Sequence, residues 1–378
     1  MLTVDVLIIG GGPAGSSLGY SLQKAGLICC IVDKAAFPRK KLCGGLLTQK
    51  TADLIEDIFG DVSFPCEYTT KNIRLFLGNE NLSRVQTDSN FYLVNRVDFD
   101  FYFIRQYLGV GGILFDNTTV KKVNLETNSA MLSSREEIHY KVLVGADGAN
   151  SQVRKYIDSK YRPNAMCLEF DSPANEIGDE IQVYFSTLRS GYGWCFPKKG
   201  YYTVGIGGEI KVNQDIKKSF KLFYRSINKT AGSENITGAL IPFGRYVKVP
   251  CKGNILLVGD AAGLVDPITG EGIYFAFLSA MYASEAIQKF LVSNEYFVKT
   301  YLLDIKHIQA IITGANRFNR LLFNEAVKPL FLKMVKDKTH IIKYFCENLL
   351  SRYNMTYLGF VTKYIKTRHE RKKAEKRI

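Results

Sequence analysis

Tryptophan, histidine and paired cysteines are scarce in this sequence of 378 residues. There is one tryptophan, and the eight cysteines form no Cys-x-x-Cys pair. Cysteines without regular spacing are typical of reduced thiols in a cytosol. The four histidines lie outside every motif described below, so we expect structural or surface positions for them and no metal site: His139, His307, His340 and His369.

Long hydrophobic runs are also missing. The longest apolar stretches are interrupted by Asp260, Glu271 or a lysine, so no segment predicts a membrane span. Asp5 lies in the first predicted strand, which argues against a secretory signal. We find no repeat, no low-complexity tract and no nucleic-acid-binding motif. These absences predict a cytoplasmic globular protein that does not bind nucleic acid. The length of 378 residues is enough for two or three sub-domains.

Positive charge is concentrated at the C-terminal end. The net charge is +14, and residues 291–378 contribute +11 of it, with 18 Lys and Arg against 7 Asp and Glu. An apolar, aromatic stripe at near-helical spacing precedes the most basic segment, 363–378; it consists of Leu350, Tyr353, Tyr357, Phe360, Val361 and Tyr364. This pattern predicts peripheral contact with an anionic surface at the inner face of the membrane. The alternative is a stripe packed on the protein's own core with a solvated tail.

The N-terminal residues contain a glycine motif in a strand–helix–strand setting. A buried strand over 4–9 leads into Gly10-x-Gly12-x-x-Gly15, and a second strand ends at Asp33. The first glycine makes the turn, the second lets a pyrophosphate approach the backbone, and the third lets helix pack on strand. An acid about twenty residues further on is placed to bind a ribose hydroxyl. The motif predicts a bound dinucleotide.

Two further loops follow predicted buried strands. One begins with Asp147-Gly148 and the other with Gly259-Asp260, and both belong at the carboxyl edge of the sheet, where α/β ligands bind. The aspartates can accept hydrogen bonds from a sugar-like chain. A glycine-rich turn over 269–272 then leads into a helix, whose first N–H groups favour negative charge. All of these stretches therefore point to one ligand.

Alternating aromatic residues mark the second half of the chain as a sheet. Tyr192, Trp194 and Phe196 alternate along one predicted strand, so their side chains emerge on one face. Gly205 and Gly207 in the facing strand predict open space opposite them, suited to an apolar chain. The alternative interpretation is ordinary sheet core.

These motifs, in order, resemble a family. The glycine motif, Arg96 at the start of an aromatic helix, Asp147-Gly148 and Gly259-Asp260 resemble the FAD-dependent group that includes aromatic hydroxylases, flavin halogenases and geranylgeranyl reductases. Tyr192-x-Trp194-x-Phe196-Pro197 with Gly205-x-Gly207, the loop Pro38…Cys43-Gly44-Gly45, and residues 259–272 are similar to the geranylgeranyl reductases in particular. The resemblance covers roughly residues 1–290.

The resemblance implies roles for individual residues. Asp33 would bind the adenosine ribose, Arg96 would lie near the pyrophosphate, Asp260 would hold the ribitol, and Asp147-Gly148 would bridge the FAD-binding region. The predicted FAD-binding set is Gly10, Gly12, Pro13, Ala14, Gly15, Asp33, Lys34, Cys43, Gly44, Arg96, Asp147, Gly148, Gly259, Asp260, Pro267, Gly270, Gly272 and Ile273. The predicted substrate set is Tyr192, Trp194, Phe196, Pro197, Gly205 and Gly207. Cys43 is also the candidate catalytic residue, the alternative being an inert thiol in a solvated loop.

The predicted fold is α/β. A Rossmann-type FAD-binding domain with a parallel sheet would take residues 1–65, 96–165 and 250–290. An antiparallel-sheet substrate domain would take 66–95 and 166–249, and a basic helical region would take 291–378.

The resemblance implies reduction of C=C bonds of a prenyl, geranylgeranyl-type lipid by hydride transfer from reduced flavin. Cys43 and an ordered water are both candidates for the proton donor. A second glycine-motif unit is missing, so NAD(P)H would bind transiently or ferredoxin would deliver the electrons. The alternatives are a flavin-dependent monooxygenase or halogenase acting on an apolar or aromatic substrate, although the first tryptophan of the halogenase motif is missing, and a flavin-binding module without turnover.

Overall fold

We describe the protein from a computed structural model that covers residues 2–61, 63–174, 178–227, 235–293 and 297–322, and positions 324, 326, 327, 329, 332, 333, 336 and 339–347. In chain order the elements are β1 (Leu2–Ile9), α1 (Pro13–Lys24), β2 (Cys29–Val32), β3 (Leu46–Thr48), α2 (Gln49–Phe59), β4 (Tyr68–Leu77), β5 (Glu80–Leu93), α3 (Arg96–Gly109), β6 (Ile113–Phe115), β7 (Val120–Asn124), β8 (Ser129–Leu132), β9 (Glu137–Gly145), β10 (Ala165–Pro173), β11 (Glu180–Phe185), β12 (Gly191–Pro197), β13 (Tyr201–Glu209), α4 (Ile216–Ser226), β14 (Thr237–Ile241), β15 (Cys251–Lys252), β16 (Ile255–Leu257), α5 (Ile273–Ser293), α6 (Phe297–Leu322) and α7 (Thr339–Phe345).

The first sheet, sheet A, has a parallel centre. Its strand order is β15-β16-β9-β1-β2-β6, and β8 and β7 continue from β9. The strands β1, β2 and β9 are rich in Val, Ile and Leu because helices α1, α3 and α5 pack with this sheet in one core and keep water from it. Ile9 pairs with both Val32 and Gly145, and Gly145 pairs with Leu257, so four strands end level. The loops that follow them therefore meet at one edge.

The second sheet, sheet B, is mostly antiparallel, in the order β14-β10-β13-β12-β11-β4-β5-β3, with β11 and β4 parallel. Helix α4 covers one of its faces through Phe220, Phe223 and Tyr224. The opposite face of β12 carries Trp194 and Phe196 in a separate core cluster. The predicted α/β fold class, with a parallel-containing sheet, an antiparallel sheet and C-terminal helices, is confirmed.

Strand β3 differs from the predicted layout. Residues 1–65 are predicted to belong to the FAD-binding domain, but Leu46 pairs with Leu93 and β3 forms the edge of sheet B. A three-residue strand after two glycines carries no local signal of its partner, because the pairing joins residues 47 positions apart. β3 thus brings the Cys43 loop to the boundary between the two sheets.

At the C-terminal end, α6 and α7 are helical, as predicted. The aromatic stripe and the most basic segment, residues 350–364 and 363–378, lie outside the described residues. Within the described part of the chain, no helix combines the length and the hydropathy that crossing a membrane requires.

Candidate functional site

The three glycines of the turn after β1 do not all serve the same purpose. Gly10 has φ +105°, and a Cβ there would overlap the carbonyl of Ala146. A Cβ on Gly15 would overlap the Gly10 carbonyl. Gly12 has φ −73°, and its Cβ would meet only Arg39 Nη2, at 3.4 Å. Packing therefore requires glycine at 10 and 15, whereas the space in front of Gly12 is left for a ligand.

Asp33 is held beside this turn. Its Oδ2 accepts a hydrogen bond from Gly11 N at 2.8 Å, and its Oδ1 accepts one from Ala35 N at 2.9 Å. Each carboxylate oxygen can accept a second hydrogen bond, so a ribose hydroxyl can still bind. The neighbouring Lys34 is exposed, and Pro13 and Ala14 are buried at the start of α1.

The cation nearest Gly12 is Arg39, which the sequence analysis did not select. Its guanidinium lies 5.1 Å from the Phe37 ring centre and its Nη2 is 3.2 Å from Asp100 Oδ2. Arg96, expected near the pyrophosphate, instead forms a bidentate pair with the fully buried Asp100, at 2.7 and 2.8 Å. Arg39 therefore provides positive charge at the place where a pyrophosphate would approach Gly12.

Replacing Arg39 by glutamine tests this placement. A charge-assisted hydrogen bond contributes about 1.5–3 kcal/mol, so we expect the FAD dissociation constant to rise roughly 10- to 100-fold. Asp100 keeps its pair with Arg96, so the unfolding temperature should stay close to wild type. Flavin fluorescence titration measures the affinity, and Arg105→Gln, at an exposed position on α3, is the matched control. Wild-type affinity in Arg39→Gln would contradict the assignment.

The loops after β9 and β16 are joined by a buried arginine, also missed from the sequence. Arg154 donates to the carbonyls of Ala261, at 3.0 Å, and Ala149, and its guanidinium lies 4.2 Å from the Tyr161 ring centre. Asp147 and Asp260 follow the two strands, and burial raises the pKa of each. Both side chains remain half-buried, so a hydroxyl-bearing ligand can reach these carboxyl groups at the sheet edge.

Gly148 and Gly272 border the same edge. Gly148 has φ +75° and open space around the position of a Cβ, while a Cβ on Gly272 would lie 3.2 Å from Asp260 Oδ1. Gly259, at φ +55°, packs against Ala14 and Ala276. The loops after β1, β9 and β16 are thereby brought to one place.

The turn before α5 is fixed to sheet B and to α2. Glu271 accepts a hydrogen bond from Thr48 Oγ1 at 2.9 Å and pairs with Lys50 Nζ at 2.6 Å. Tyr192 of β12 donates its hydroxyl proton to the Thr269 carbonyl. Helix α5 starts at Ile273 with no acidic residue in its first turn, so its N-terminal end can attract an anionic group. Pro267 and Gly270, the remaining predicted residues here, lie in the same turn, with Gly270 at φ +70°.

The Cys43 loop lies over the aromatic face of sheet B. Cys43 N donates to Glu169 Oε1 at 2.8 Å, and Gly45 N donates to the Cys43 sulfur at 3.4 Å. Against the effect of burial, electrostatic interaction with Asp100 and with the nearby Cys43 side chain raises the pKa of Arg96. The structure therefore brings the predicted catalytic thiol together with the predicted residue Arg96 and with an acid that the sequence analysis missed.

The aromatic side chains share one face, as the alternation predicts. The ring centres of Tyr192 and Trp194 are 6.0 Å apart, and those of Trp194 and Phe196 are 6.2 Å apart. The expectation of open space over Gly205 and Gly207 is wrong, because the Trp194 indole lies across them and a Cβ on Gly205 would overlap it. The glycines make room for the indole, and Pro197 ends the strand.

A fully buried lysine completes this region. Lys198 is 2% exposed, and its Nζ donates to the Val94 carbonyl at 2.6 Å. Burial lowers the pKa of Lys198, while Glu67 and Glu169 raise it. The sequence Lys198-Lys199-Gly200 between two strands is typical of a hairpin turn, so it predicts an exposed Lys198 and not a buried one.

Comparisons with known proteins agree with this geometry. Residues 3–190 match the sequence model of an FAD binding domain. A protein of Methanosarcina barkeri described as uncharacterized is 30% identical over 308 residues, covering 78% of this chain and 77% of the relative. The geranylgeranyl diphosphate reductase of Rhodobacter capsulatus is 28% identical over 312 residues, covering 77% and 76%.

Solved structures show the same fold. A geranylgeranyl bacteriochlorophyll reductase-like protein from Thermoplasma acidophilum superposes with a TM-score of 0.78 at 23% identity, covering 97% of this chain and 99% of that one. A flavin-dependent brominase superposes with a TM-score of 0.71 at 17% identity, covering 98% and 100%. The open space at Gly12 and the half-buried Asp147 and Asp260 at the sheet edge fit FAD.

Proposed function

Because this chain belongs to the geranylgeranyl reductase family of FAD-dependent oxidoreductases, we propose that it reduces carbon–carbon double bonds of a prenyl lipid of the geranylgeranyl type. One observation carries the proposal. The aromatic face of sheet B is directly continuous with the FAD-binding loops, because the Tyr192 hydroxyl bonds to Thr269 in the turn before α5. A prenyl chain lying along this face would have its double bond beside the cofactor.

FAD, when bound and reduced, supplies the hydride for this chemistry. The chain's own residues bind the substrate, exclude water and handle the proton. The rings of Tyr192, Trp194 and Phe196 form a largely apolar wall along one face of β12, which suits a hydrocarbon. The Cys43 loop covers that wall, since Gly44 lies against Phe196 and Trp194. We propose transiently bound NAD(P)H or ferredoxin as the source of electrons.

The test separates this reaction from oxygen chemistry. The FAD-loaded protein is reduced with dithionite and incubated anaerobically with geranylgeranyl lipids. The masses of the products are then measured by mass spectrometry. The proposal predicts products heavier by two hydrogens for each reduced bond. A hydroxylated or halogenated product, with dioxygen uptake tied to the substrate, would instead establish the monooxygenase or halogenase alternative.

We further propose that the basic C-terminal region holds the protein at an anionic membrane surface. Each Lys or Arg near an anionic leaflet contributes about 1 kcal/mol, so several together give reversible binding. Co-sedimentation should then require anionic vesicles, weaken with added salt and drop on truncation after Leu349. Equal binding to neutral vesicles, or none to anionic ones, would leave the tail without this role.

A further inference from the structure

Glu169 lies on the aromatic face of sheet B. In the register of the sheet, Trp194 pairs with Gly205, and Gly205 pairs with Glu169. Residues paired directly across neighbouring strands point to the same face, so the glutamate shares the wall with the indole. With Gly205 between them, no intervening side chain separates the two.

The two oxygens of this carboxyl group differ in their hydrogen bonding. Glu169 is 8% exposed, and its Oε1 accepts the hydrogen bond from Cys43 N at 2.8 Å. Its Oε2 is buried and has no hydrogen-bond partner among the described residues. A buried polar atom without a partner is costly, which indicates that a water molecule or a ligand atom belongs beside Oε2.

A second buried polar atom in this region belongs to the indole of Trp194. Trp194 Nε1 also has no partner within the described part of the chain. The indole lies over Gly205, the residue that separates it from Glu169 in the register. A donor and an acceptor without partners therefore flank one glycine, in the region where the proposed substrate would bind.

The charged surroundings of Glu169 come from several elements. Burial raises its pKa to about 7, and Asp171 on the same strand adds to this. The Cys43 N–H, Lys198 and Arg96 act in the opposite direction. Both the acid and the carboxylate are therefore populated near neutral pH, as a group that gives and regains a proton requires.

We propose that Glu169 holds on Oε2 the proton that the site delivers to its substrate. The proposal rests on the proposed alkene reduction. As the double bond gains a hydride on one carbon, the Oε2–H bond breaks and its proton forms a C–H bond on the other carbon. The positive charges of Arg96 and Lys198 favour the remaining carboxylate, which then regains a proton from solvent. Cys43, whose sulfur accepts a hydrogen bond from Gly45 N, is then a binding residue and not the proton donor.

Glu169→Gln separates proton delivery from positioning. The amide oxygen of glutamine can still accept from Cys43 N and so hold the loop, but its NH2 cannot deliver the proton. Infrared titration of the FAD-loaded protein should show a protonated carboxyl band that disappears as pH rises through about 7. This band should be missing in Glu169→Gln. A glutamate that is already ionised at pH 6 would overturn the proposal, whatever the substrate proves to be.

Single-turnover reduction of a geranylgeranyl substrate under anaerobic conditions supplies the second readout. Because the acid form is required, the wild-type rate should fall about tenfold per pH unit above the Glu169 pKa. Glu169→Gln should be roughly 100-fold slower below pH 7, and without that pH break. Asp171→Asn removes a like charge, so the break should move to lower pH. Cys43→Ser should keep the break where it is.

Failure of this inference is distinguishable from failure of the proposed function. If wild type reduces the alkene and Glu169→Gln matches its rate and pH profile, Glu169 only positions the loop and the inference is wrong. If the break disappears in Cys43→Ser instead, the thiol is the donor and the inference is equally wrong. If wild type reduces no alkene, the proposed function fails, and the delivery role fails with it even if the infrared titration finds the proton on Glu169.

Discussion

Replacing Gly12 by valine is expected to give a folded protein that binds no FAD. A Cβ at this position meets only the end of the flexible Arg39 side chain, at 3.4 Å, and the backbone there has φ −73°. Nothing in the described structure therefore needs glycine at this point except a ligand. A valine side chain would occupy the place that a pyrophosphate takes beside the backbone. We expect FAD affinity to fall at least roughly 100-fold, equivalent to about 3 kcal/mol.

Two other glycines supply the controls. Gly109→Val, at a position with ordinary φ and no atoms within 4 Å of the added Cβ, should keep both fold and flavin. Gly15→Ala should damage folding itself, because its Cβ would overlap the Gly10 carbonyl. Circular dichroism and bound flavin absorbance are measured for all three. A Gly12→Val protein that retains wild-type flavin would show that the pyrophosphate does not bind here.

Replacing Trp194 by alanine is expected to impair prenyl reduction while leaving FAD content unchanged. The indole forms the centre of the aromatic wall and belongs to sheet B rather than to the FAD-binding loops. Burying a large apolar side chain contributes about 1.5–3 kcal/mol, so kcat/KM for a geranylgeranyl substrate should fall roughly 10- to 100-fold. Flavin absorbance and steady-state rates measure the two effects separately.

The adjacent residue provides a matched control. Cys195 is equally buried but points to the opposite face, where it packs in the cluster with Phe223. Cys195→Ala should therefore leave turnover close to wild type. Trp194 is also the one tryptophan of the chain, so its fluorescence reports directly on this wall. A prenyl substrate that binds without changing that fluorescence, or a Trp194→Ala variant with full turnover, would contradict the substrate site.

Local patterns predicted much of this molecule. The spacing of the glycine motif predicted the turn after β1, where Gly10 has positive φ and Gly15 packs on the Gly10 carbonyl, and the parallel strands follow from short buried apolar runs. Period-two alternation placed Tyr192, Trp194 and Phe196 on one face without knowledge of the neighbouring strands. These features depend on sequence spacing alone.

Contacts between distant segments could not be predicted in the same way. Glu169 meets Cys43 across 126 residues, and only the pairing of β10 with β13 puts it on the aromatic face. Lys198 follows a strand as turn residues do, yet tertiary packing buries it. The glycines of β13 predicted space, but a pattern does not show which side chain fills that space. Here it is the indole of Trp194.

Anaerobic reoxidation of the bound flavin tests the central claim most directly. The FAD-loaded protein is reduced, excess reductant is removed, and a geranylgeranyl lipid is added in the stopped-flow instrument with dioxygen excluded. We predict that the flavin reoxidises at a rate that rises with lipid concentration, and that the recovered lipid has gained two hydrogens for each flavin oxidised. Flavin that stays reduced until dioxygen is admitted, with the lipid unchanged before that point, would contradict the account.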